Sequence, residues 1–291
     1  MFVVTGGSGH LGRRTVEYLR EHVDASRVVA ATRTPDRASD LGVATRRADF
    51  DEPDSLPAAF DGAERLLLIS TDVVDARGTR IRQHTNAVQA AAKAGVRHVI
   101  YTSFVRTTEP GNPAFVARDH AATEQALVES GLTYTMLREN IYADILLLSA
   151  PAAVAQGVLA SNEGDGAVGY VTRDDIAATA AALLAGGGHE GQALDVTGPA
   201  AVTQADLASF LSDVTGVAVR YQPLTDEEYI ANLIQYAGLP EEAARATATF
   251  GQAAREGWLN GISDVVERVA GRSPTSVAAF LASNRAALTG S

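Results

Sequence analysis

Thr5-Gly6-Gly7-Ser8-Gly9-His10-Leu11-Gly12 stands between a short apolar run, residues 2–5, and an amphipathic stretch from Gly12 to Glu21 that keeps Val16 and Leu19 apolar. The order is strand, glycine turn, helix. Glycines spaced like Gly6, Gly9 and Gly12 permit a tight turn, let a pyrophosphate approach the backbone, and pack the helix close to the strand. The helix N-terminus then offers its free N–H groups to an anion. Gly6, Ser8, Gly9, His10, Leu11 and Gly12 are the expected phosphate cradle, with the Ser8 hydroxyl as a further donor. The bland alternative is an ordinary strand-to-helix turn.

Beyond this turn, apolar runs recur at 27–32, 43–45, 66–69, 99–101 and 133–137, with helical patterns at 80–94 and 116–130 between them. Strands alternating with helices specify a parallel sheet, so the fold class is α/β, a Rossmann-type doubly wound sheet. After Arg138 helices dominate, and prolines at 151, 199, 223, 240 and 274 mark boundaries. Residues 175–198 read as one more helix-strand unit returning to the main sheet. The expected division is 1–140, joined by 166–200, as a dinucleotide domain, with 141–165 and 201–291 as a smaller, mainly helical domain on the substrate side. Thr225 with Glu228 reads as a capping box, and Ser273-Pro274 as a helix start.

Composition narrows the partners. The 291 residues carry 24 basic against 35 acidic side chains, a net charge of −11, which disfavours a broad nucleic-acid face. There is no cysteine, hence no thiolate nucleophile and no disulfide framework. No apolar run approaches the roughly 18 residues of a membrane span. A cytoplasmic protein acting on a small molecule, with a homodimer admitted, is the expectation. Lys93 is the only lysine in the sequence, so lysine chemistry has one address.

The second strand ends at Thr32-Arg33-Thr34 rather than in the acidic residue that accepts from NAD ribose hydroxyls. A guanidinium at Arg33, joined by Arg37, suits a 2′-phosphate, so the expected cofactor is NADPH. None of the eight tyrosines has lysine four residues on, which removes the Tyr-x-x-x-Lys apparatus of alcohol dehydrogenases. Ser8 lacks the flanking glycine of a nucleophile elbow, and the six histidines have no metal-ligand spacing, so no metal is expected.

The glycine turn, Arg33, the segments Gln83-His84-Thr85-Asn86 and His98-Val99-Ile100-Tyr101-Thr102-Ser103, and Leu132 to Arg138 together resemble the NmrA-like atypical short-chain dehydrogenases, nearest to their quinone and triphenylmethane reductase branch. The resemblance spans nearly the whole chain. It implies NADPH in the Rossmann domain, a second domain closing a cleft, and hydride transfer to a quinone or similar conjugated electrophile. A quinone or carbocation accepts hydride directly, which agrees with the missing Tyr-Lys pair. A dinucleotide sensor without turnover is the alternative on this fold, and an isoflavone-reductase-like enzyme a third.

Within that resemblance His120 and Glu124, four apart on a helix, match a His-x-x-x-Glu pattern, which makes His120 a proton donor or a substrate-orienting group, or else half of a surface pair. Tyr101 joins it as a catalytic candidate. Ser70, Thr71, Thr102 and Ser103 close two strands at the cofactor edge, where they contact the dinucleotide or satisfy loop backbone. The chain departs from the branch at Arg138-Glu139-Asn140-Ile141-Tyr142, where Glu139 replaces an amide. A carboxylate there favours a cationic or hydrogen-bond-donating substrate, unless it pairs with Arg138 or faces solvent; Asn140 and Tyr142 are the expected substrate contacts, and Trp258 a further pocket aromatic.

Overall fold

Leu66, Leu67 and Leu68 are fully buried, and they divide between two cores: Leu66 and Leu68 on one face of a sheet, Leu67 on the other. Val3 is likewise opposed to Phe2 and Val4. Side chains alternate along a strand, so a continuous apolar run marks a strand covered on both faces. The computed structural model describes residues 1–73, 75 and 77–290. Each such leucine contributes about 1.5–3 kcal/mol on burial.

The strands run β1 (Phe2–Thr5), β2 (Val28–Thr32), β3 (Ala44–Arg47), β4 (Arg65–Leu68), β5 (His98–Phe104), β6 (Thr133–Glu139), β7 (Val158–Ser161), β8 (Ala167–Val168), β9 (Gln192–Val196), β10 (Val202–Thr203) and β11 (Arg220–Pro223). The main sheet has seven parallel strands in the order β3-β2-β1-β4-β5-β6-β9. Chain direction across the sheet reverses between β1 and β4, the switch point where doubly wound folds open a ligand crevice.

Helices α1 (His10–His22), α2 (Leu56–Phe60), α3 (Thr79–Lys93), α4 (Phe115–Glu129), α5 (Leu146–Gln156) and α6 (Arg173–Gly186) follow in order. Helix α6 is buried on nearly every side, and its run of alanines lets it lie against both α1 and the sheet. The chain continues through α7 (Gln204–Thr215), α8 (Asp226–Ala237), α9 (Glu241–Arg255), α10 (Val265–Ala270), α11 (Val277–Ser283) and α12 (Arg285–Thr289). A separate core gathers α5, α7, α9, α11 and α12 around residues such as Val154, Leu211, Ala254, Leu281 and Leu288. Phe104 and Val116 tie this core to the ends of β5 and α4. Helix α10 instead packs on α6, placing Val265 and Val266 in the sheet-face core.

Two local expectations change. Pro151 lies inside α5 rather than at a boundary; the one backbone bond it removes is offset by burying Ala150, Ala153 and Val154. The helix expected to begin at Pro274 begins at Val277, because the Ser276 hydroxyl, not that of Ser273, accepts from the Ala279 N–H. The Thr225–Glu228 capping box forms at the start of α8.

Candidate functional site

A cleft of about 690 Å³ runs from the glycine turn across the carboxyl ends of β1, β4, β5 and β6 toward α8 and α9. Gly6, Ser8, Gly9, His10, Leu11, Gly12, Arg33, Ser70, Thr71, Ser103, His120, Glu139, Asn140 and Tyr142 all line it. Residues from five strand ends thus meet in one crevice.

At the cradle end, Gly6 holds φ = +63°, and a Cβ on Gly12 would stand 2.2 Å from the Gly6 carbonyl oxygen. Only glycine permits that approach. Helix α1 starts at His10 with no side-chain cap and no acidic residue in its first turn, which leaves its N–H groups and positive dipole end for an anion. The Ser8 and Thr32 hydroxyls are 2.7 Å apart, linking the turn to the end of β2. Arg33, exposed, follows on the same wall. These features fit a dinucleotide: uncapped N–H groups at the cleft wall and a close Gly6–Gly12 backbone approach that any side chain on Gly12 would break.

Four expected contacts stand elsewhere. Arg37 lies outside the cleft wall, on the turn after β2, where its carbonyl accepts from the Arg13 guanidinium at 2.8 Å. Thr102 is fully buried behind the wall; its hydroxyl oxygen accepts from the Ser70 N–H at 2.8 Å, so it supports the loop after β4 rather than touching a ligand. Tyr101, also fully buried, points beneath the floor toward His120. Trp258 carries Arg106 over its ring at 4.6 Å and is not part of the cleft.

Beneath the floor a chain of polar groups sets the protonation of two histidines. The Thr71 N–H donates to His84 Nε2 at 3.0 Å, and Thr123, whose own proton goes to the Asp119 carbonyl, leaves its oxygen to accept from His84 Nδ1 at 2.9 Å. His84 is therefore neutral, and burial lowers its pKa to about 3. His120 Nε2 lies 2.8 Å from an Arg80 Nη2. A guanidinium only donates, so Nε2 accepts and the single imidazole proton sits on Nδ1, shared with the Tyr101 hydroxyl at 2.8 Å. Burial, then Arg80 and His84, hold the His120 pKa well below its usual value. His120 lines the cleft but is not poised as a proton donor near neutrality.

Nor does His120 pair with Glu124. Glu124, 5% exposed, binds Arg138 bidentately at 2.9 and 2.7 Å and accepts from the Ser103 hydroxyl at 2.6 Å. That clamp joins α4 to β5 and β6 and leaves Glu139 without Arg138.

Glu139 is 2% exposed, so it neither faces solvent nor carries an exposed carboxylate. The Tyr142 hydroxyl donates to its Oε2, while Oε1 has no partner among the described residues. Burial raises its pKa to about 8, with the Tyr142 bond and Arg173 acting in the opposite sense. The group is mainly a neutral acid at pH 7, and an uncharged acid does not select a cation as the sequence suggested. Asn140 lines the same wall, but its amide nitrogen donates to the Leu259 carbonyl at 2.9 Å and its oxygen accepts from the Ile141 N–H. Its amide chiefly joins β6 to the segment after α9.

Several lining residues escaped the sequence reading, among them Arg80, Phe104, Glu163, Tyr170, Tyr229 and Phe250. Arg80 alone left a signal, a cation four residues before His84 on the helix that follows β4. Phe104 directly follows Ser103 at the end of β5, and the others come from segments distant in sequence.

A seven-stranded parallel sheet whose switch-point crevice begins at an uncapped glycine turn defines a dinucleotide-binding α/β protein. Residues 6–186 match the family described as NAD(P)H-binding. The chain belongs to this NAD(P)H-binding family, within its NmrA-like members. It is 37% identical to quinone oxidoreductase 2 of Escherichia coli over 96% of both chains, and 31% identical to the NAD(P)H azoreductase of Xenophilus azovorans over 99% of both. The crystal structure of the Escherichia coli NADPH-dependent quinone oxidoreductase with NADPH superposes with a TM-score of 0.91 at 36% identity, covering 98% of this chain and 99% of that one. That of the Citrobacter sp. triphenylmethane reductase with NADP(H) gives 0.90 at 34% identity, covering 98% and 100%. Among the described residues, no helix is long and apolar enough to cross a membrane.

Proposed function

We propose that this chain is an NADPH-dependent oxidoreductase that reduces a quinone or similarly conjugated electrophile, with Glu139 as the proton source. The observation that carries the reading is a single cleft joining the anion cradle at α1 to a buried, mainly neutral carboxylic acid. Bound in that cleft, NADPH supplies hydride.

The chain's own residues divide the remaining work. Gly6, Gly9, Gly12 and Ser8 receive the pyrophosphate, and Arg33 receives the 2′-phosphate that distinguishes NADPH from NADH. Ser70 and Thr71 present a loop held from behind by Thr102 and His84. Phe104 and Phe250, with ring centroids 6.0 Å apart edge to face, form an apolar wall for a planar acceptor. Tyr142 occupies Glu139 Oε2, so the acid's proton sits on Oε1, where the protein offers no acceptor. An acceptor oxygen takes that proton once it gains electron density, and solvent water restores it to the carboxylate. We assign the cofactor to residues 1–140 with 166–200 and the substrate to 141–165 and 201–291, a division supported by Tyr229 of α8 and Phe250 of α9 lining the cleft.

Purified protein tested by NADPH absorbance against benzoquinones, naphthoquinones, triphenylmethane dyes and aldehydes decides the matter. NADPH consumption with quinones supports the reading. Tight NADPH binding without consumption by any acceptor replaces it with dinucleotide sensing, which the similarity to reductases over the full chain does not favour.

A further inference from the structure

Arg80, the second residue of α3, is 7% exposed and lines the cleft beside Ser103, Phe104 and His120. A buried guanidinium normally sits against a carboxylate, because an uncompensated charge in low dielectric is costly. Among the described residues Arg80 has no such partner. It makes one side-chain hydrogen bond, to His120 Nε2, and its Nε is buried without an acceptor. His120 does not compensate the charge, since the geometry leaves it neutral. Glu139, in the same chamber, spends most of its time protonated at pH 7. Arg173, the other guanidinium there, already has Asp144 at 3.5 Å. The substrate end of the cleft therefore holds a positive charge that forms no ion pair with any carboxylate among the described residues.

We propose that Arg80 is the electrostatic partner of the acceptor oxygen, receiving the negative charge that reduction places on it, and so selects acceptors that become oxyanions over acceptors that begin as cations. This rests on the reductase reading above. In the reduction of a quinone, hydride brings two electrons and one hydrogen to one carbonyl oxygen; both C=O π bonds are lost as the ring becomes aromatic, one oxygen ending as O–H and the other as O⁻ beside Arg80. The Glu139 proton converts that oxygen to O–H, leaving the hydroquinone and a carboxylate that water reprotonates. A cationic triphenylmethane dye, by contrast, loses its charge on taking hydride and gains nothing from a guanidinium; Arg80 repels its ground state. A donor already in place where charge develops, shielded from water, needs no reorganisation as the reaction proceeds.

The test compares wild type with Arg80→Met and Arg80→Lys, each first shown by NADPH fluorescence titration to bind the cofactor with wild-type affinity. The expected result is a fall of about 100-fold in kcat/KM for benzoquinones in Arg80→Met, partial retention in Arg80→Lys, and unchanged or higher turnover of cationic dyes in both. Equal losses on quinone and dye, or an unaffected quinone reaction, overturn the proposal. A second readout does not require turnover: 4-nitrophenol bound to the wild-type NADP⁺ complex should titrate to its yellow phenolate at lower pH than free in solution, and Arg80→Met should abolish the shift. No shift in wild type rejects the role of Arg80 even if some acceptor is reduced. A shift without NADPH oxidation by any acceptor rejects only the reductase reading. If Arg80→Met fails to bind NADPH, the Arg80→Lys and wild-type comparisons still decide between these outcomes.

Discussion

Tyr142 donates its hydroxyl proton to Glu139, three residues earlier, across the carboxyl end of β6, and leaves the other carboxyl oxygen without a partner among the described residues. One bond is too few to hold a buried carboxylate charged, so the group keeps its proton to about pH 8.

Quinone reduction should accordingly fall as pH rises through about 8, because the donating form of Glu139 is lost there. Glu139→Gln should lower kcat by about 100-fold or more, a general-acid contribution, and remove that limb from the pH profile. A Gln variant that keeps both rate and limb assigns the proton to another group.

The same shift bears on stability. The Glu139 pKa is raised on folding, from its ordinary value of 4.5 to about 8, so between those values the unfolded chain releases a proton that the folded chain retains. Stability from this group is complete below about pH 4.5 and declines as pH rises to about 8. Urea denaturation of Glu139→Gln against wild type across that window should show the variant gaining relative stability at each higher pH.

Arg33→Ala should raise the KM for NADPH at least about tenfold and that for NADH hardly at all, because a charge-assisted bond to the 2′-phosphate is worth about 1.5–3 kcal/mol. Equal effects on both cofactors would remove Arg33 from the phosphate site.

At the glycine turn, Gly12→Ala and Gly9→Ala should separate cleanly. The new Cβ falls 2.2 Å from the Gly6 carbonyl oxygen in the first and 3.3 Å from it in the second. Titration calorimetry should find NADPH binding lost or weakened more than tenfold in Gly12→Ala, with a clearly smaller loss in Gly9→Ala.

Glu124→Ala should cost stability rather than chemistry. It leaves the Arg138 guanidinium, 21% exposed, without its bidentate carboxylate, and breaking such a pair costs about 3–5 kcal/mol. Chemical denaturation should show the loss, while the KM for quinone changes little in the folded protein.

The sheet and its crevice were legible because their signals are local. The runs at 2–5, 27–32 and 66–69 state their strand character in a few residues, and three glycines state their own turn geometry. The chemistry was less so. His120 reads as a proton donor when only its own helix is considered, and its neutrality follows from Arg80 forty residues earlier. Glu139 reads as a charge for recognising cations until its burial and its bond to Tyr142 are known. Thr102 and Ser103 are neighbours with opposite duties, since alternation along β5 sends one hydroxyl behind the wall and the other to Glu124 at its edge.

Sequence by itself determined a doubly wound sheet, an anion cradle, an arginine after the second strand and the absence of a tyrosine-lysine pair, because each is written in residue types at fixed short spacing. Tertiary structure alone decided which ionisable groups carry charge. Protonation depends on solvent exclusion and on donors and acceptors brought together from distant segments, and here those leave Glu139 mainly protonated, His120 neutral and Arg80 without a counter-ion among the described residues.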